Sequence, residues 1–178
     1  SSHIVADSDF DDIKYLRAET KNNVLAKNLL DLRKEYDADP KQYQFLKQYL
    51  TISRAEIFFA DKAVLIEGDT ERILIPTFMR KVDLEEFTRL KNEGTEDAFL
   101  PLLSQNISII EVGAYSQIFE KFIEFLGIKS LILTDIDAIK IEKQDEKGKD
   151  VWGACPVLEG TKTSNSAINH FLSGVIWE

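Results

Sequence analysis

The stretch Ala63–Pro76, AVLIEGDTERILIP, places Glu67, Asp69 and Glu71 within five residues, directly after four apolar residues. Acids this close at the end of a buried strand repel one another unless a cation sits among them. Farther on, LILTDID, Leu131–Asp137, ends a second apolar run in Asp135 and Asp137. Two acids two residues apart at a strand end can face one point, and hard carboxylate oxygens so arranged suit Mg²⁺ or Mn²⁺. Glu67, at the tip of a neighbouring strand, would complete the set. Glu71 falls in the first turn of a following helix, where the helix dipole favours an acid, and can look back toward Glu67.

Each acid also has a plainer reading. Loops are polar, so an Asp-x-Asp or a lone Glu at a strand end needs no ligand. Asp69 and Thr70 serve most simply as helix N-caps, and Glu71 as a helix-start acid. Glu111 ends a further apolar run and sits at the rim of the set or points into it. The coincidence of all these strand ends argues for a site. His3 and His170 have no partner motif and read as solvated or packed side chains, and Cys155 as a small buried apolar group.

The elements that must position these acids follow from patterning. Ile13–Arg17 reads as a short strand, and residues 21–36 as a loop and then a helix. Asp39-Pro40 opens another helix, with Tyr43, Leu46 and Leu50 on one face and Phe45 and Tyr49 beside them. SRAEIFFA is expected to extend it to about Ala60. AVLIEG is a continuous apolar run, the sign of a buried parallel strand. A helix follows, which Pro76 should kink or divide, and then a polar insertion over residues 83–103. Asn106–Gly113 reads as a second strand. SQIFEKFIEFLG reads as a helix with Ile118, Phe119, Phe122, Ile123 and Leu126 inward and Gly127 as C-cap. KSLILTDID is a third strand. KIEKQDEKGKD reads as a charged loop, and Asn165 or Ser166 as the N-cap of a last helix, with no closing element toward Glu178. Strand, helix, strand, helix, strand with right-handed crossovers is a parallel α/β sheet, whose functional groups gather beyond the carboxyl ends of the strands.

The 178 residues are 44% hydrophobic and 10% aromatic, enough for a core. No run reaches the roughly 18 apolar residues of a membrane helix, and no signal peptide opens the chain. One cysteine excludes an intrachain disulfide and points to a reducing cytoplasm. The net charge of −9 opposes nucleic-acid binding unless a bound cation inverts the local field or basic surface lies elsewhere in a larger protein. No GxxxxGK[ST] occurs, so no nucleotide site is expected in this chain.

FFADKAVLIEGDTERILIP, then ISIIEVG, then a helix and LILTDID, resembles a Toprim domain, whose pattern is a Glu after the first strand and Asp-x-Asp after a later one. The longer string, with EGTKTSN at Glu159–Asn165, resembles the overcoming-lysogenisation-defect (OLD) family nucleases, Gabija-type anti-phage endonucleases among them. The resemblance covers about residues 55–172. It implies a Toprim, Rossmann-like fold: a central, mainly parallel sheet flanked by helices, here with an N-terminal helical and strand appendage. It implies metal-dependent hydrolysis of DNA with one or two Mg²⁺ or Mn²⁺ ions. Glu67, Asp135 and Asp137 would be catalytic. Glu67, Glu71, Asp135 and Asp137 would be metal ligands. Glu111, Gly113, Asp69 and Ser164 form a second tier, Ser164 as a contributor to a second metal.

In such proteins an ABC-type ATPase domain precedes the Toprim domain. SSHI, then SDFDDIKYLR, resembles its last switch segment; Ser-Ser-His alone could be a tag scar, but the continuation fits the family better. Residues 1–20 would then be the ATPase tail, 21–60 a helical linker, and 61–178 a C-terminally truncated Toprim nuclease domain. DNA, the ATPase domain and a helicase-like protein are the implied partners, with a homo-oligomeric parent. Two rivals remain. LILTDIDAI locally resembles the aspartyl-nucleophile strand of haloacid-dehalogenase phosphatases. A Toprim domain can also be a non-catalytic assembly module.

Overall fold

In the computed structural model, which describes residues 2–53 and 55–173, the chain enters through a short helix, α1 (Ser2–Asp7). A hairpin follows, β1 (Lys14–Thr20) and β2 (Asn23–Asn28), then helices α2 (Leu29–Glu35) and α3 (Pro40–Ser53). The hairpin departs from the loop expected over the start of residues 21–36. β2 is largely exposed and is held by backbone pairing to β1, so it carries no apolar alternation. Helix α3 ends before a 3₁₀ turn, Ala55–Phe59, instead of running on to Ala60. Arg54, Ser1, the side chain of His3 and the chain end from Gly174 lie outside the described residues.

The central sheet is built of β3 (Lys62–Ile66), β4 (Ile107–Glu111) and β5 (Lys129–Ile132), all parallel, in the order β4-β3-β5. β3, which is central, has four consecutive buried residues, as its continuous apolar run requires. Between β3 and β4 runs α4 (Asp69–Glu93), and between β4 and β5 a 3₁₀ segment leads into α5 (Glu120–Leu126). The fold is thus a mixed α/β architecture with a parallel sheet flanked by helices, as expected.

Pro76 does not divide α4, which extends eleven residues into the stretch expected to be a polar insertion. That extension is held on an exposed surface by Arg89, which pairs with Glu86 and with Glu93, and Gly94 caps it in the left-handed conformation. β6 (Ala138–Gln144) and β7 (Asp150–Ala154) form an antiparallel hairpin where a charged loop was expected. Its ladder bonds are backbone groups, and the charged end of β6, Ile141–Gln144, is exposed, so charge there does not oppose a strand. β8 (Lys162–Thr163) joins the other edge of β6, and α6 (Ser166–Phe171) follows with Asn165 as N-cap.

One hydrophobic cluster spans the sheet and the first sixty residues. Phe10, Leu29, Leu32, Tyr36, Tyr43, Leu46 and Leu50 pack with Leu65, Ile110, Phe119, Phe122 and Leu126. The expected face of α3 is the buried one, and Phe45 stacks on Tyr49 beside it. Polar anchors accompany the packing. Tyr36 donates to the Ile118 carbonyl at 2.6 Å, and Lys47 pairs with Asp11 at 2.8 Å. A smaller cluster on the opposite face of the sheet joins Val64 and Ile66 to Ile75 and Met79 of α4.

Gly127 ends α5 at φ 68°, as the sequence predicts. A Cβ there would meet the Arg17 guanidinium, a mobile group that can swing aside, so backbone strain sets the cost. Gly127→Ala is expected to destabilise by about 1–2 kcal/mol, read as a lower urea midpoint.

Candidate metal centre

The acids meet because β3 and β5 are neighbours. The Leu133 N–H donates to the Leu65 carbonyl at 2.9 Å, extending β5 by a residue and bringing Thr134 to the tip of β3. Glu67 Oε1 then accepts from the Thr134 hydroxyl and from the Asp135 N–H at 3.2 Å. Glu67 is half-buried, while Asp135 and Asp137 are exposed. Asp137 is in the left-handed region at φ 48°, a conformation Asp adopts more readily than most residues, and the chain turns there into β6.

Gly68 is the N-cap of α4, not Asp69 or Thr70 as expected. The Gly68 N–H donates to Glu71 Oε2 at 3.0 Å, one half of a capping box. Glu71 therefore acts as a helix-start acid and still contributes its charge to the cluster. Asp69 is an exposed partner of Arg72, whose Nε lies 3.1 Å from Asp69 Oδ1 and 3.8 Å from Glu111. That pairing places Glu111 at the rim. Gly113, at φ 58°, turns the chain out of β4. Ser164 lies against the Asp-x-Asp turn: its N–H and hydroxyl both donate to the Asp137 carbonyl, at 3.0 and 3.3 Å. His170 pairs with Glu120 at 2.7 Å, and Cys155 is half-buried, not fully buried as expected.

The sequence reading missed two site residues, Thr134 and Asn165. Asn165 Nδ2 donates to Glu67 Oε1 at 2.9 Å and to Thr134 Oγ1 at 2.8 Å, and lies 3.4 Å from Asp137 Oδ2. The sequence signal was its place in TKTSN, but the N-cap role accounted for its oxygen alone.

The electrostatics suit a cation. The Asp135 carboxyl is pushed above its ordinary value, first by the Glu67 charge, then by lost hydration, then by Asp137 and Glu71. Among the described residues, no Lys or Arg forms a salt bridge with Glu67, Glu71, Asp135 or Asp137. The donors are hard oxygens, as Mg²⁺ or Mn²⁺ prefers. With the side chains as they stand, no three His, Cys, Asp or Glu groups among the described residues are arranged to hold one ion. Glu67 is turned onto Thr134 and Asn165, and Glu71 onto its helix start.

Among the described residues no helix is long and apolar enough to cross a membrane. The family described as "Overcoming lysogenization defect protein-like, TOPRIM domain" matches residues 58–137, from before β3 to the second acid of Asp-x-Asp. The chain is also similar to Endonuclease GajA of Bacillus cereus (strain HuB5-5), with 27% identity over 184 residues, 96% of this chain and 24% of GajA. It thus spans about a quarter of that relative's length. No solved structure matches it. The parallel sheet, the acids at its carboxyl end and the family match over the same residues agree: residues 58–137 are similar in sequence and fold to the Toprim domain of overcoming-lysogenisation-defect proteins.

Proposed function

We propose that this chain is the DNA-cleaving domain of an OLD-family ATPase-nuclease and hydrolyses phosphodiester bonds with Mg²⁺ or Mn²⁺, in anti-phage defence. The observation that carries the reading is the group of four carboxylates, in which Glu67, Asp137 and Glu71 set their charge against Asp135 and none of the four is salt-bridged to a Lys or Arg among the described residues. Glu67, Asp135 and Asp137 fall inside the segment matched by the family, as does Glu71.

These four residues would hold the cation, with Ser164 beside them for a second. A bound divalent ion supplies charge neutralisation at the scissile phosphate and an acidified water. The chain's own contribution is positioning. Thr134 and the Asp135 N–H fix Glu67 Oε1, and the turn at Asp137 aims the second acid. Glu67 is the proton acceptor for the attacking water. Residues 1–20 as the tail of an ATPase domain, 21–60 as a linker and 61–178 as the nuclease domain extend the same reading. So do a homo-oligomeric parent, a helicase-like partner and a cytoplasmic setting.

The test is cleavage of supercoiled plasmid by the 178-residue chain, and by an ATPase-fused parent, with Mg²⁺, Mn²⁺ or EDTA. Nicked or linear product with metal and none in EDTA is the expected outcome. A parent that leaves plasmid intact with metal supplied would return the domain to a non-catalytic module. Phosphate release from small esters without cleavage would favour the phosphatase reading.

A further inference from the structure

Asn165 is 2% exposed, and the two ends of its amide have separate tasks. Oδ1 accepts from the Ala167 and Ile168 N–H groups at 3.0 and 3.1 Å and caps α6. Nδ2 serves Glu67, Thr134 and Asp137. Capping does not account for this residue, because Ser, Thr or Asp caps a helix through one oxygen as well. A hydroxyl has one oxygen for both tasks, whereas an amide caps through its oxygen and donates from a separate nitrogen. An acid here would set a further charge against Glu67.

The backbone around Asn165 is held in place. Its own N–H donates to Thr163 Oγ1 at 2.9 Å, and the Thr163 hydroxyl donates to the Ile136 carbonyl, inside the Asp-x-Asp turn. The Ser164 N–H holds the Asp137 carbonyl, and β8 is paired to β6. Ser166 donates to the Ala114 carbonyl at 2.7 Å, which fastens the start of α6 to the turn after β4. The amide is thus delivered to one place by contacts with three separate segments. Glu67 Oε1 receives three donors, from Thr134, Asp135 and Asn165, and none of them uses Oε2.

We propose that Asn165 is a positioning residue of the metal centre. Its Nδ2 sets the separation of Glu67 and Asp137, which lie on different segments, and so couples the docking of α6 to cation affinity. This rests on the metal-binding reading above.

Two measurements on the 178-residue chain test it. The first needs no metal. In EDTA, Asn165→Asp keeps the capping oxygen, removes the donor and faces Glu67 with a charge. Its melting temperature should fall, and Glu67→Gln, whose amide can donate back, should restore most of the loss. A melt unchanged by Asn165→Asp, or an equal loss in the Glu67→Gln background, would overturn the contact. The second is Mn²⁺ titration by calorimetry. Asn165→Ser keeps a capping oxygen but cannot reach Glu67, and should weaken Mn²⁺ by about 10- to 100-fold, the usual effect of losing an outer partner of a metal ligand. Unchanged affinity in a folded Asn165→Ser protein would overturn the positioning role and leave the metal centre standing. A wild-type chain that takes up no Mn²⁺ would overturn both.

Discussion

Asp135→Asn should abolish metal-dependent plasmid nicking and yet raise the melting temperature of the metal-free protein. The two effects have one origin. In the folded chain Asp135 faces Glu67, Asp137 and Glu71, and their combined charge holds its carboxyl above the ordinary aspartate value. A carboxyl raised on folding binds its proton more tightly in the folded state. Stability then falls as pH rises from the ordinary aspartate range through the raised value, and the penalty is fully present at neutral pH. The amide removes one charge at nearly constant shape. Because Asp135 is exposed, the repulsion is worth under about 1 kcal/mol, a gain of no more than about 4 °C for a chain this size. The same charge is what a divalent ion requires. On the proposed mechanism, losing several kcal/mol of metal-assisted stabilisation would slow cleavage by about a thousandfold or more. Melting curves in EDTA across pH, beside a plasmid assay, check both effects. A variant that melts lower than wild type in EDTA would contradict the repulsion, and one that still nicks would remove Asp135 from the centre.

Phe122→Ala should be among the most damaging single changes to the fold. Phe122 is fully buried on α5 and meets Phe58 edge to face, with centroids 5.6 Å apart. That contact joins the helix between β4 and β5 to the 3₁₀ turn before β3, so the ring lies where the first sixty residues and the sheet share their core. Truncation leaves a cavity and costs about 3–5 kcal/mol, against a total stability of about 5–15 kcal/mol for a typical domain. The urea midpoint should drop by about 2 M at an m-value of roughly 2 kcal/mol/M. A shift below about 0.5 M would mean that this junction contributes little to the cooperative unit.

The parts legible in the sequence are those whose side chains do the work. β3 could be read because its residues are buried in a row, and α3 and α5 because Leu46, Leu50, Phe122 and Leu126 recur at helical spacing. β2 and the β6–β7 hairpin left no such trace. Almost none of their side chains is fully buried and their bonds are backbone to backbone, so Lys143 or Asn23 fits as well in a loop as in a strand. The second half of α4 was obscured in the same way, being exposed and held by Arg89 with Glu86 and Glu93. The acids Glu67, Asp135 and Asp137 were legible because their spacing is local to strand ends. Glu71 was located correctly, with its carboxylate committed to the Gly68 N–H. Asn165 was only half legible. A capping oxygen follows from its neighbours in sequence, whereas an amide aimed at Glu67 depends on a fold that brings together residues nearly a hundred positions apart.

The strand order β4-β3-β5 also sets the sequence of events by which the molecule acquires its site. The β1–β2 and β6–β7 hairpins close short loops and can form within microseconds. β3 cannot pair with β4 until α4 and its following turns have been traversed, nor with β5 until α5 has crossed back as well. Such distant pairings slow folding, because chain entropy is lost before any contact compensates for it. Glu67 and Asp135 lie at the end of that slow sheet, and Asn165 comes still later in the chain. The carboxylates therefore meet through the most distant pairings in the domain, the ones whose closure costs the most chain entropy.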